Sequence, residues 1–221
     1  MVGAGGFGRE TVEAIHAMNA CGASWQLLGY LDDDPRLRGK QIDGTPVLGG
    51  ITEAQNLGDT CFVVCAGRPD DYVSRLRIVD RISLPADRYA TIVHPAATVS
   101  SSSRIGPGSV LLANVVLTAA ATIGSHVAIM PHVTITHDDI IDDFVTIASG
   151  VCLGGHVRIG QAAYLGAGAL IREGRSVGKY AMVGMGSVVL TDVPEKQVWI
   201  GIPARYLRNA DTRSVNEKES K

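Results

Sequence analysis

Three groupings of side chains in this 221-residue sequence could do chemistry. Gly3-Ala4-Gly5-Gly6-Phe7-Gly8 fits G-x-G-x-x-G ahead of a helical pattern, and such a loop offers backbone N–H groups and a helix N-terminus to phosphate. The acidic run Asp32-Asp33-Asp34 follows a strand-like segment, where a nucleotide-binding fold places a carboxylate on a ribose. Much later, His137 is followed by Asp138. An imidazole titrates near neutrality, and a neighbouring carboxylate can orient it and stabilise its protonated form. Each grouping also has a plainer reading, as a tight strand-to-helix turn, a solvated acidic loop and an exposed corner histidine.

The elements that must position these groups divide the chain in two. Stepping by six from Val93 to Val189 meets seventeen residues, every one Val, Ile or Leu. The position four later is Ala, Ser or Val in fourteen of sixteen repeats, the exceptions being Asp139 and Arg175. Two inward positions per six residues describe a short strand plus a corner, and three such units close a triangular coil of a parallel β-helix. A sandwich of alternating strands would show period two instead. With coils stacked about 4.8 Å apart the prism is about 25 Å tall. Gly106, Gly124, Gly154, Gly160, Gly166, Gly178 and Gly184 directly follow the aliphatic position, where the lack of a Cβ is expected to ease the turn. Asp139 puts a carboxylate where a small inward residue is the rule, marking either a site or a bulge.

Before the repeats, strands and helices alternate. Gly8 to Ala20 carries Val12, Ile15 and Met18 at helical spacing, and Gln26 to Leu31 and Cys61 to Ala66 read as strands. Val73, Leu76, Val79 and Ile82 mark a second helix, and Tyr89 to Val93 a strand leading into the first coil. This is a small Rossmann-like α/β unit. A dinucleotide-binding oxidoreductase would need two βαβαβ halves, so a mononucleotide fits the available length better. Only two residues precede Gly3, which leaves the first strand nearly missing.

Composition narrows the partners. Lys plus Arg number 20 and Asp plus Glu 22, and no basic stripe could track a phosphate backbone, so nucleic acid is not an expected partner. The N-terminus lacks a signal-peptide pattern and no run approaches a membrane span, which points to the cytoplasm. Cys21, Cys61, Cys65 and Cys152 lack metal-ligand spacing and read as reduced, buried thiols.

The ordered motifs GAGGFG, LDDD, THDD and Gly201-Ile202-Pro203-Ala204-Arg205 around the repeats carry a resemblance to a known family. The chain resembles the sialic acid O-acetyltransferases and nucleotide-sugar (UDP-4-amino-sugar) N-acetyltransferases of the hexapeptide-repeat superfamily. The resemblance implies a nucleotide-sugar-binding domain over 1–91 and a left-handed β-helix acyltransferase domain over 92–208; residues 209–221 lie outside it and read by composition as a polar, disordered tail. The resemblance also implies a homotrimer with acetyl-CoA between neighbouring prisms and no metal. In its pattern Gly5, Gly6, Phe7, Asp32, Asp33 and Gly67 contact the substrate. His137 is the general base, Asp138 its carboxylate partner, and Gly155, one coil later, offers its N–H to the thioester oxyanion and to the cofactor. Ala167, Met185, Gly201 and Arg205 match cofactor-binding positions. Thr146 stands where similar enzymes often carry a second histidine near the cofactor, and it can donate a hydrogen bond but not become a cation.

The first reading is therefore N-acetylation of a nucleotide-linked amino sugar, with sialic acid O-acetylation as the alternative. A trimer that only binds nucleotide sugars is a third possibility, against which His137-Asp138 speaks. A carbonic-anhydrase-like zinc site would draw on His132 and His137, but its third ligand position is Ala96.

Overall fold

The computed structural model describes residues 1–211. From Ile92–Val93 to Val188–Val189, seventeen two-residue strands recur every six residues and stack in parallel on the strands eighteen residues away. With two further strands from the C-terminal hairpin they form three flat faces of eight, six and five strands. The eight-stranded face is completed by a C-terminal hairpin, Gln197–Gly201 with Ala204–Asn209. The polar tail expected over 209–221 thus begins on a strand at Asn209, and its part from 212 lies outside the described residues.

The repeat builds the core as its spacing demands. From Leu111 onward, every aliphatic position is buried, and with the small positions between them these residues form one continuous cluster. Val93, Val99 and Ile105, at the open end, are half-buried against it. Corners turn through a residue with left-handed backbone three positions past the aliphatic one, for example Asn114, Asp138 and His156. The seven glycines after the aliphatic position serve a different purpose from the one expected, because none has positive φ. A Cβ on Gly106 would meet Gly124 backbone at 2.6 Å, and one on Gly166 the Met185 nitrogen at 2.6 Å. Those glycines permit stacking of coils, not turning of the chain.

One rung of the ladder is altered. From His94 to Arg172, the N–H after each remaining aliphatic position donates to the carbonyl seventeen residues on, as Thr118 does to Ile135 at 3.1 Å. Thr136 N–H instead donates to Asp139 Oδ2 at 2.9 Å, and its hydroxyl takes over the Leu153 carbonyl at 3.1 Å. Asp139 Oδ1 accepts from Val157 N at 2.8 Å, as Ser109 Oγ accepts from Val127 N one coil below and on another edge. Asp139 therefore inserts no extra residue. It is a fully buried carboxylate that reroutes the hydrogen bonds of the corner carrying His137.

The N-terminal unit is a small mixed sheet, parallel except where Gln41–Ile42 runs antiparallel to Thr45–Gly49, with helices α1 (Gly6–Ala20) and α2 (Ser74–Ile82). Val2 bridges both Leu31 and Val64 in parallel, which places it between those two segments. The strand expected over Gln26 to Leu31 shrinks to Tyr30–Leu31, the part that faces Thr45–Gly49. Cys61 to Ala66 pairs only at Phe62 and Val64. Of the cysteines only Cys65 is buried; Cys21 follows the end of α1, Cys61 precedes the buried run, Cys152 points outward from its strand, and all three are exposed. No helix among the described residues is long and apolar enough to cross a membrane.

The two units are pinned together by Arg75 of α2, 1% exposed. Its guanidinium donates to the carbonyls of Ala66 (2.7 Å), His126 (2.7 Å), Phe144 (3.1 Å) and Val145 (3.2 Å) and to Thr146 Oγ1 (2.7 Å). None of these partners is a carboxylate, and burial lowers the arginine's pKa to about 10. Tyr72 adds a bond from its hydroxyl to the Tyr180 carbonyl at 2.9 Å.

Candidate active site

The eighteen-residue coil determines what meets at the corner between the six- and five-stranded faces. It stacks Gly155 on His137 and His156 on Asp138, a match the backbone records as a bond from His156 N to the His137 carbonyl at 3.0 Å. His137 Nδ1 lies 2.9 Å from Asp138 Oδ2. With Nδ1–H donated to the carboxylate, Nε2 keeps its lone pair, as a base requires, and lies beside Gly155. The imidazole ring rests against the Gly155 Cα so closely that a Cβ there would collide with Cε1 and Nε2. Among the described residues, no carbonyl or side chain takes up the Gly155 N–H, which leaves a donor beside the base.

His156 completes this corner and was not singled out in the sequence. Its ring stands edge-on to His137, with centroids 5.0 Å apart at 87°, and its Nε2 lies 3.8 Å from Asp138 Oδ2. The signal was available, because 138 plus 18 is 156. All three side chains are about half exposed. Beneath them Asp139 has its pKa raised to about 6, burial outweighing the two backbone N–H donors and the nearby histidines.

The proposed cofactor positions lie elsewhere. Ala167 and Met185 stack on the edge between the eight- and six-stranded faces, joined through the Gly186 N to Ala167 carbonyl bond at 2.8 Å. Gly201 N donates to Ser187 Oγ on that edge at 3.1 Å. Arg205, on the adjoining hairpin strand, is exposed, as are Gly201 and Met185. Thr146 does not join them. It is 4% exposed, and its hydroxyl is held by Arg75, so in place of a cofactor contact it is part of the joint between the two units.

The third edge carries the N-terminal unit, and within that unit the substrate positions gather. Gly5 caps α1 with extended backbone, Gly6 and Phe7 open the helix, and a Cβ on Gly5 or Gly6 would meet nothing within 4 Å. Gly3 and Gly8 differ: a Cβ on Gly3 would meet the Cys65 carbonyl at 2.7 Å, and one on Gly8 would strike the Gly3 carbonyl. Asp32 and Asp33 line a cleft of about 500 Å³ with Gly3, Ser74, Arg77 and Arg81. Asp32 spends one oxygen on Ala4 N at 2.9 Å, steadying the glycine loop, and Asp33 accepts from Ile51 N at 3.0 Å and pairs with Arg81. Gly67, at φ +133, sits 3.4 Å from Arg75 Nη1 when given a Cβ, so it belongs to the interdomain joint beside the cleft.

Comparisons with known proteins identify the family. Residues 1–82 match the PglD N-terminal domain. The acetyltransferase domain of PglB from Neisseria gonorrhoeae FA1090, solved with acetyl coenzyme A, superimposes with a TM-score of 0.83 at 30% identity, over 93% of this chain and 97% of that one. The chain belongs to the hexapeptide-repeat nucleotide-sugar N-acetyltransferases. Like that family's members it is a left-handed β-helix behind a small α/β domain. A mutant of perosamine N-acetyltransferase from Caulobacter crescentus, in complex with CoA and GDP-perosamine, has a TM-score of 0.82 at 27% identity, over 94% and 95% of the two chains. UDP-N-acetylbacillosamine N-acetyltransferase of Bacillus subtilis (strain 168) is 32% identical over 117 residues, 51% of this chain and 50% of that protein. The match thus spans half the length of that curated relative.

His132 and His137 fall on different edges of one coil, so the zinc site considered from their spacing is not assembled within the chain.

Proposed function

We propose that this protein transfers the acetyl group of acetyl-CoA to the amino group of a nucleotide-linked amino sugar. The observation that carries the reading is the His137-Asp138 pair seated on Gly155. The sugar amine, its ammonium proton already lost to solvent, attacks the thioester carbonyl, and His137 Nε2 takes the proton that its nitrogen sheds as the C–N bond forms. The Gly155 N–H stabilises the oxyanion that forms, and collapse of that intermediate releases the CoA thiolate, which recovers the proton from the imidazolium. Asp138 holds the ring tautomer throughout.

The family membership and the cleft at the glycine loop support a division of labour. The unit over 1–91 binds the nucleotide sugar through Gly5, Gly6, Phe7, Asp32, Asp33 and Gly67, and the prism over 92–208 binds acetyl-CoA through Gly155, Ala167, Met185, Gly201 and Arg205. These sets occupy three different edges of one prism, so a complete site needs the edge of a second chain, and a homotrimer supplies it with closed symmetry. This reading places the protein in the cytoplasm.

The test is CoA release from acetyl-CoA with UDP-, dTDP- and GDP-linked 4-amino sugars and with free sialic acid. Turnover is expected with a nucleotide 4-amino sugar. Turnover with sialic acid alone would replace this reading by O-acetylation.

A further inference from the structure

Three side chains of metal-ligating type meet at the His137 corner. His137 Nδ1 and Asp138 Oδ2 are 2.9 Å apart, His156 Nε2 is 3.8 Å from the same oxygen, and one ligand atom of each lies within 4.8 Å of the others. A tetrahedral zinc ion with bonds of about 2.0–2.1 Å holds neighbouring ligand atoms about 3.4 Å apart, so both spans are within about 0.5 Å of what it needs. We propose that His137, Asp138 and His156 form a binding site for a divalent transition-metal ion, zinc by ligand type, whose occupation silences the site.

Two imidazoles and a carboxylate are a zinc donor set, and a fourth position stays open to water. The ligands are carried by stacked corners of a rigid prism. Asp138 and His156 have φ of +62 and +60, and the His156 N to His137 carbonyl bond at 3.0 Å fixes one corner on the other. Their half-exposed side chains leave the ion a way in. The two spans to Asp138 are close to those of a metal complex, and the two histidines, within 4.8 Å of each other, close on the ion by side-chain rotation.

Occupation would remove the base by tautomer chemistry. In the free site His137 Nδ1–H points at Asp138, and Nε2 holds the lone pair. A metal bonded at Nδ1 leaves the one ring proton on Nε2, so the proton moves between the nitrogens through solvent with no net change at His137. Nε2 then has nothing with which to accept a proton from an amine. The inhibitory half of the proposal rests on the acetyltransferase reading; the binding half does not.

The experiment titrates metal-free protein with zinc chloride by calorimetry and with cobalt(II), whose visible bands report tetrahedral coordination. One ion per chain is expected, with affinity reduced at least about tenfold in His156→Asn. Because Cys21, Cys61 and Cys152 are exposed and could bind zinc themselves, their triple Cys→Ser variant is titrated in parallel and should match the wild type. No zinc binding by the wild type, or binding kept in His156→Asn and lost in the serine variant, overturns the site. Zinc should also stop acetyl transfer in the wild type, reversibly with EDTA, and His156→Asn should be less sensitive relative to its own zinc-free rate. Zinc that binds without slowing turnover overturns the inhibitory half. The titration needs no turnover, so failure of the acetyltransferase reading would leave its result intact.

Discussion

His137 gains its orientation from two directions, Asp138 beside the ring and Gly155 beneath it. The glycine is required by space, since its φ is ordinary and only the absent Cβ lets the ring lie flat. Gly155→Ala should therefore push the imidazole outward by about 1 Å and lower kcat by about 10², the usual consequence of such a misplacement. Its melting temperature should stay near that of the wild type, because the exposed ring can yield. Turnover assays paired with thermal melts check both halves. His137→Ala should lose about 10² or more in kcat with substrate binding nearly unchanged, as loss of a general base does, and a normal rate would remove the mechanism. Asp139 works by another route. Its two oxygens satisfy Thr136 and Val157 N–H in a dry corner, and Asp139→Ala would strand two buried donors at about 1–3 kcal/mol each. Urea denaturation should show that loss, and Asp139→Asn, which keeps one acceptor, should fall between.

At the scale of elements, the six-residue phase made the prism legible because each strand needs only its own two inward residues to be recognised. The eighteen-residue period likewise brought Gly155 to His137 on paper. His156 escaped because a histidine at a corner carries no pattern of its own; only the stacking on Asp138 gives it a neighbour. Arg75 was illegible for a different reason. On α2 it reads as a solvated charge, and its burial depends on carbonyls at Ala66, His126, Phe144 and Val145 that converge only in three dimensions. Arg75→Met should destabilise the protein by about 2–4 kcal/mol, since these buried acceptors lose their donor. It should also raise the KM for the nucleotide sugar more than it lowers kcat, because the Ala66-Gly67 turn loses its anchor. The same joint gives the fold an acid limit. His126 is 6% exposed, stacked on Phe144 and edge-on to Tyr89, and burial together with the Arg75 charge lowers its pKa from 6.5 to about 4. The unfolded chain then binds a proton that the folded one refuses between those values. The contribution is complete above about pH 6.5 and is lost as pH falls to about 4, amounting to about 3 kcal/mol. Comparing unfolding free energies of the wild type and His126→Asn at pH 7 and pH 4.5 isolates it, since the variant's dependence on pH should be shallower.

For the whole molecule, the proposed reading turns on groups that one chain holds apart. The His137 corner lies between the six- and five-stranded faces, whereas Met185 and Ala167 lie between the eight- and six-stranded faces. A straight prism cannot bring two of its own edges together, so under the proposed reading a cofactor that contacts both lies between chains. The exposed apolar side chains Leu170, Met185, Leu190 and Ile202, on the six-stranded face and next to it, are what such a neighbour would cover. Light scattering should then give three times the chain mass. A sharper check uses two defective chains. His137→Ala removes the base, and Met185→Glu places a charge where the cofactor would lie, so each alone should be nearly inactive. Coexpressed in equal amounts, they assort at random around a closed ring in which every site takes His137 from one chain and Met185 from the next. A site is intact only when the first chain is the Met185 variant and the second the His137 variant, which gives about a quarter of wild-type turnover per site. Recovery of that size would establish sharing between subunits. If the mixture stays as inactive as its components while still forming trimers, each chain completes its own site and the edges have been paired wrongly.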